Sequence, residues 1–149
     1  MSKQIKLKII TPEKTIFEEM VDSVSIPTTE GEITILPHHI PLVSAVASGD
    51  IVARIGADVV PMAVSGGFLE AKPLTDGSGT ELAILADFAE RVGDISEDVI
   101  VKAKARAEEL KAMKDKGEII DFEQFAAELE RSLTRVRIAD KWRGKKYRL

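Results

Sequence analysis

The chain has 149 residues, 44% of them hydrophobic, and a formal net charge of −4; that is apolar material enough for one ordinary domain, or a small domain with an appendage, and it excludes global disorder. There is no Cys, which excludes disulfides, thiolate nucleophiles and cysteine metal sites and fits a reducing compartment. Charge is segregated: residues 131–149 carry eight Arg or Lys against one acid, Asp140, whereas residues 1–130 carry thirteen bases against twenty-four acids, so an acidic surface is expected for the basic end to meet.

The start, Met1-Ser2-Lys3-Gln4, leads directly into a strand pattern, so no secretory segment is expected. Ile5, Leu7 and Ile9 alternate with Lys6 and Lys8, which predicts a strand with one buried face and one wet face. Further strands are expected at residues 15–18, 22–26, 32–36, 50–55, 59–64, 67–72 and 81–86. Turn chemistry separates them at Thr11-Pro12, Glu30-Gly31, Gly49-Asp50, Gly56-Ala57-Asp58, Ser65-Gly66-Gly67 and Asp76-Gly77-Ser78-Gly79. Short strands about ten residues apart, with no helical pattern between them, predict an antiparallel β-sandwich or barrel over residues 1–88. The longest uncharged run, residues 33–49, is interrupted by Pro37 and Pro41 and is too short for a membrane span, so the chain reads as soluble.

At Asp94 the period becomes helical, and residues 89–149 read as a two-helix hairpin with a basic end. Ile95, Val99, Ala103, Ala107, Leu110 and Met113 form one stripe, and Asp94 with Glu97 has capping-box spacing, giving a first helix over about 95–115. Gly117 ends it. Asp121, with Gln124 three residues on, caps a second helix over about 121–143 whose stripe is Phe122, Phe125, Ala126, Leu129, Leu133 and Val136. The two stripes predict an antiparallel αα-hairpin in which the alanines of one helix face the phenylalanines of the other. Ile138 and Trp142 fall on nearly the opposite side of the second helix. Arg131, Arg135, Arg137, Lys141, Lys145 and Lys146 surround them, so this side is a candidate contact surface; the competing reading has Trp142 cover the sheet and the bases merely solvated.

Catalytic chemistry is not suggested. His38 and His39 are adjacent, point to opposite faces of extended backbone and have no third ligand at a useful spacing, so no metal site is expected. Ser65-Gly66-Gly67 lacks the Lys and the helix start of a phosphate loop and reads as a tight turn. Glu18-Glu19 and Glu108-Glu109 read as solvated faces, and no Ser has a base at a recognisable spacing. The acidic body disfavours nucleic acid. The expectation is a protein that is not an enzyme and uses no cofactor.

A sandwich followed by a helical hairpin, together with several strings, resembles the epsilon subunit of F-type ATP synthases, called delta in mitochondria. The strings are residues 30–43 (EGEITILPHHIPLV), Gly49, and residues 63–70 (AVSGGFLE), with further similarity through 86–91 and 120–139. His38 departs from the pattern, because the family usually has Gly there, and residues 74–80 are longer than usual. The resemblance implies a non-catalytic rotor subunit of a proton-translocating enzyme, held by the gamma subunit and the ring of membrane c-subunits. It would be peripheral to the cytoplasmic face of a bacterial inner membrane, or at the homologous position in a chloroplast or mitochondrion, and would couple rotation to ATP synthesis. Glu32 and His39 match family positions at that interface. The family's hairpin either folds on the sandwich or extends into the alpha/beta head, where its basic helix inhibits ATP hydrolysis. Arg131 and Arg135 match its paired arginines, with Ile138 and Trp142 beside them. Some members clamp ATP through a motif whose positions here read Ser96, Val99 and Ile100 in place of Asp, Arg and Ala, so ATP binding is expected to be weak or absent; Glu90, Arg131 and Arg135 still fit. From another class, the alternative is a free-standing β-sandwich adaptor whose basic helix binds an acidic protein or nucleic acid.

Overall fold

The computed structural model describes residues 4–118 and 121–148. Residues 1–3, 119–120 and 149, which belong to the two expected domains and in part to the 120–139 resemblance, lie outside the described residues. In chain order the elements are β1 (Ile5–Ile10), β2 (Thr15–Val21), β3 (Ser23–Thr28), β4 (Gly31–Ile35), β5 (Leu42–Ala45), β6 (Gly49–Ile55), β7 (Asp58–Pro73) and β8 (Thr80–Arg91). A 3-10 turn (Val92–Asp94) then leads to α1 (Glu97–Asp115) and α2 (Phe122–Trp142). The architecture is a β-sandwich followed by two helices.

The strands run in the order β2-β1-β8-β7-β6-β3-β4, with β5 paired to β7. Neighbours are antiparallel except β1 and β8, which are parallel. The long strand β7 serves both layers: residues 58–64 pair with β6, and residues 68–71 pair with β5. Alternation then turns one face of every strand into a common core. Ile9, Phe17, Ile26, Ile51, Leu69 and Ile84, from six different strands, are all buried in it.

Ser65-Gly66-Gly67 is not a turn. It lies inside β7, where Ser65 pairs with Phe88 and Gly67 with Ala86 without any slip in register. Gly66 and Gly67 have φ of 75° and 117°, and a Cβ on Gly67 would stand 2.1 Å from the Leu85 carbonyl oxygen. The composition that marks a turn here marks the point where β7 passes from one layer to the other against a close neighbour. Strand β5 had no alternation to reveal it, being four residues long and preceded by Pro41. His38 has φ of 63°, so it takes the left-handed conformation that a glycine adopts most easily, and its N–H donates to Thr80 Oγ1 at 2.8 Å.

The hairpin departs from its predicted details at two points. Ser96 caps α1, its Oγ accepting from Val99 N at 3.3 Å, while Asp94 sits in the 3-10 turn, where Ile95 N–H bonds to the Val92 carbonyl. Asp121 does cap α2, accepting from the N–H groups of Glu123 and Gln124. The buried residues of α1 are Ile100, Ala103, Ala107 and Leu110, but those of α2 are Ser132, Thr134, Ile138 and Ala139. Phe122 is 70% exposed. Phe125 is half-buried and lines a cleft with Leu110 and Met113 of α1, so of the two phenylalanines only Phe122 leaves the expected seam. Small residues such as Ala103, Ala107, Ser132 and Ala139 bury on both helices, because α2 also has to lie close to the sandwich.

Gly67→Ala should cost about 2 kcal/mol or more, because the Cβ meets backbone and the φ is left-handed. His38→Gly should instead stabilise by about 0.5 kcal/mol, the strain removed slightly exceeding the added freedom of the unfolded chain. Thermal unfolding of the two variants checks both signs.

Candidate functional site

The charged residues singled out in the C-terminal helix converge on one face of the sandwich. In β7, Met62 and Val64 point into the main core, so Ala63 between them points outward. Asp50 of β6 and Glu90 of β8 are the cross-strand partners of Ala63. The outer surface thus presents a row, Asp50–Ala63–Glu90, with Ser65 and Phe88 paired beside it. α2 meets this row with three of its turns. Trp142 Nε1 donates to Asp50 Oδ2 at 2.8 Å, Ile138 shares a buried cluster with Ala63, and Arg135 Nε donates to Glu90 Oε2 at 2.8 Å.

Arg131 and Arg135, four residues apart, share one side of the helix. Their guanidinium carbons lie 5.3 and 4.9 Å from the centre of the Phe88 ring, a cation–π arrangement at partly buried positions. Ile138 is 3% exposed and packs with Val92, Ile95, Ile100 and Ala139. Ile138 and Trp142 do lie opposite the hairpin seam, and of the two readings open for that side the structure favours the one in which Trp142 covers the sheet, with Arg135 and Lys141 paired rather than merely solvated. The side of α2 opposite the hairpin seam is where the sandwich lies, so the apolar pair is covered by β6 and β7. The sequence alone does not reveal the partner row: Asp50 belongs there to a turn signal, Glu90 enters only through the resemblance to the ATP clamp, and Phe88 lies beyond the last expected strand.

Glu32 and His39 are not part of this site. Glu32 is exposed on β4, two strands beyond β6 in the sheet order. His39 lies in the loop after β4, with Nδ1 2.7 Å from the Ile40 carbonyl. Nearby in the chain, Ile40 and Val43 are 74% and 67% exposed. Another outward row, Ala45–Phe68–Leu85–Ile10, crosses β5, β7, β8 and β1, and Phe68 and Leu85 within it are largely exposed. Sequence reasoning did not identify this apolar row; its signal was apolar side chains at the outward positions of alternating strands.

The ATP-motif positions have structural duties here. Ser96 caps α1, Val99 donates its N–H to that cap, and Ile100 is buried in the helix–sandwich cluster. A cleft of about 360 Å³ does open beside Arg135, but its three bases, Lys14, Arg91 and Arg135, face three acids, Glu13, Glu90 and Asp94. It offers an anion no net positive charge. Across the hairpin, Arg106 of α1 clasps Glu128 of α2 with two bonds, Nε to Oε1 at 2.5 Å and Nη2 to Oε2 at 3.1 Å. Those bonds hold the Glu128 carboxyl below its usual value of 4.5, against a smaller opposing effect of burial. Among the described residues no helix is long and apolar enough to cross a membrane.

Residues 4–92 match the family model described as the ATP synthase, Delta/Epsilon chain, beta-sandwich domain. Over 140 residues the chain is 40% identical to the ATP synthase epsilon chain of Dehalococcoides mccartyi, covering 94% of this chain and 95% of that one. Over 141 residues it is 38% identical to the ATP synthase epsilon chain of Syntrophobacter fumaroxidans, covering 95% and 99%. Among solved structures, the fold is similar to a chain in the Euglena gracilis mitochondrial ATP synthase (OSCP/F1/c-ring), with a TM-score of 0.61, 23% identity and coverage of 96% of this chain and 81% of that one. It is also similar to a chain in the central stalk/c-ring of the Tetrahymena thermophila mitochondrial ATP synthase, with a TM-score of 0.52, 16% identity and coverage of 93% and 95%.

Because the Glu128 pKa is depressed in the folded hairpin, its pair with Arg106 contributes stability above about pH 4.5, and that contribution disappears as pH falls through the lowered value. Glu128→Gln should weaken the hairpin at neutral pH and flatten its response to acid. Helix unfolding followed by circular dichroism between about pH 7 and about pH 3 reads both effects.

Proposed function

The chain belongs to the delta/epsilon-chain family of ATP synthases, and from that premise we propose that it is a non-catalytic central-stalk subunit of an F-type ATP synthase. It binds the gamma subunit and the c-ring and couples proton-driven rotation to ATP synthesis at the cytoplasmic face of a bacterial inner membrane. The observation that carries this reading is the exposed apolar row through Phe68 and Leu85. A monomeric domain seldom leaves such a row bare, and rotor contact covers it. Glu32 and His39, on β4 and the loop after it, are the residues assigned to the c-ring and gamma side.

The other part of the proposal is inhibition of ATP hydrolysis by α2 when it leaves the sandwich and enters the alpha/beta head. Arg131 and Arg135 would then exchange Phe88 and Glu90 for acidic groups of the beta subunits, with Ile138 and Trp142 supplying apolar contact. The adaptor reading gains no support, since Arg135, Lys141 and Arg148 are already paired within the chain.

Affinity purification from membranes should recover gamma and c-ring subunits with the tagged chain; their absence overturns the stalk assignment. Deleting residues 121–149 should raise ATP hydrolysis by the assembled enzyme, and Arg131→Glu with Arg135→Glu should do the same. The direction is decisive, because these reversals also weaken docking on the sandwich. Release alone would deepen inhibition, so only lost contact with the head relieves it. Calorimetry on the isolated subunit should find no micromolar ATP site, given the uncharged side chains at Ser96, Val99 and Ile100 and the balanced cleft.

A further inference from the structure

The chain does not end where α2 ends. Arg143 leaves the helix with extended backbone, and Gly144, at φ 78°, turns the chain back. The returning segment lies on the sandwich: Arg148 N–H donates to the Val59 carbonyl at 2.8 Å, and its guanidinium grips Glu19 of β2 with two bonds. At the end of α2, Asp50 accepts from Trp142 Nε1 and pairs with Lys141 Nζ at 2.9 Å. The Asp50 side chain is only 9% exposed. Tyr147 stands edge-on to the indole, with ring centres 6.0 Å apart, and Lys145 Nζ lies 5.3 Å from the Trp142 ring. This arrangement joins β2, β6 and the start of β7 to one short basic segment.

We propose that residues 141–148 form a clasp that keeps α2 docked, with Asp50 and Glu19 as its two catches, and that the clasp is opened by electrostatic screening. Terminal segments fray unless something ties them down. Here the side-chain ties to Asp50 and Glu19 are charged or charge-assisted, while the apolar contacts are those of Ile138 one turn further back and of the Trp142 and Tyr147 rings packed against its cluster. The two kinds of contact respond differently to salt. Screening weakens ion pairs, most of all those near the surface such as Arg148 with Glu19, whereas apolar burial is not weakened by it. Salt therefore reports which contact governs the end of α2. The clasp is a property of the isolated chain and stands or falls separately from the stalk assignment.

Native-state hydrogen exchange on the full chain tests it, with the emission and quenching of Trp142, the only tryptophan, as an additional readout. Asp50→Ala should speed exchange of the amides of residues 134–142 by about tenfold or more while the strands keep their protection. Glu19→Arg and Arg148→Glu should each do so to a smaller extent, and combining them should restore protection. Raising NaCl from about 0.05 M to about 1 M should mimic the single changes and make the indole more accessible to quencher. Exchange in α2 that stays at the wild-type rate in Asp50→Ala and in both charge reversals overturns the clasp, as does exchange that slows with salt. Should Asp50→Ala loosen the strands equally, Arg148→Glu decides, since its side chain lies at the surface; unaltered α2 exchange there is a negative answer.

Discussion

The docked hairpin depends on a match between two repeat lengths. An α-helix advances about 5.4 Å per turn, and neighbouring strands stand about 4.8 Å apart. A helix laid across a sheet therefore meets roughly one strand per turn. α2 does this: Trp142 meets Asp50 on β6, Ile138 meets the cluster around Ala63 on β7, and Arg135 meets Glu90 on β8. The row beneath is acid, small apolar, acid. The residues above, read back along α2, are an indole N–H with Lys141 beside it, an isoleucine and an arginine. Ala63 matters because a larger side chain there would hold the helix off and stretch both polar contacts. Burying Ile138 contributes about 1.5–3 kcal/mol, and it does so only while the small residue leaves room.

The segregated charge of the chain finds its counterpart within the chain. Asp50, Glu90 and Glu19 belong to the acidic body, and they receive Lys141, Arg135 and Arg148 of the basic end. Exposed pairs of this kind are worth about 0–1 kcal/mol each, so their number is a poor measure of strength. Asp50 differs, because it is nearly covered and accepts from two donors. Phe88 also does what a carboxylate could not: it takes the flat faces of two guanidinium groups while the Nε of Arg135 stays paired with Glu90.

The parts of the fold legible in the sequence are those with one uninterrupted periodic signal. Ile5, Leu7 and Ile9 alternate, and they are buried as alternation requires. Asp121 caps α2 because its carboxylate reaches two N–H groups, a purely local event. Errors arise where the same residues serve two geometries. A glycine pair reads as a turn, yet in β7 it permits a bend against Leu85. Asp94 has capping spacing, but the 3-10 turn takes it up and passes the role to Ser96. What covers Ile138 and Trp142 stays open between two readings because a stripe reveals only one partner for α2, the other helix. A helix with two neighbours on different sides carries two stripes, and one of them resembles plain surface until its partner sheet is known. Asp50 and Glu90 could not be assigned for the same reason, since their meaning lies ninety-two and forty-five residues away along the chain.

The proposed release of the hairpin has to obey population arithmetic. Turning a state from dominant to rare takes about 5.5 kcal/mol of differential interaction. Docking through one buried isoleucine, a covered aspartate and a few surface pairs is of that order rather than far above it. Arg131 and Arg135 cannot hold Phe88 and Glu90 and an external carboxylate together, so docking and outward binding exclude each other. When the external surface is acidic, Arg135 trades one anion for another and its charge term nearly cancels, while Arg131 exchanges only the ring of Phe88. The balance is then decided by what the exchange does to Ile138 and Trp142, which leave a dry contact on the sandwich and need an equally dry one elsewhere. A surface able to take α2 from the sandwich would therefore need, besides carboxylates, an apolar pocket about one helical turn from them, as Ala63 lies beside Glu90 here.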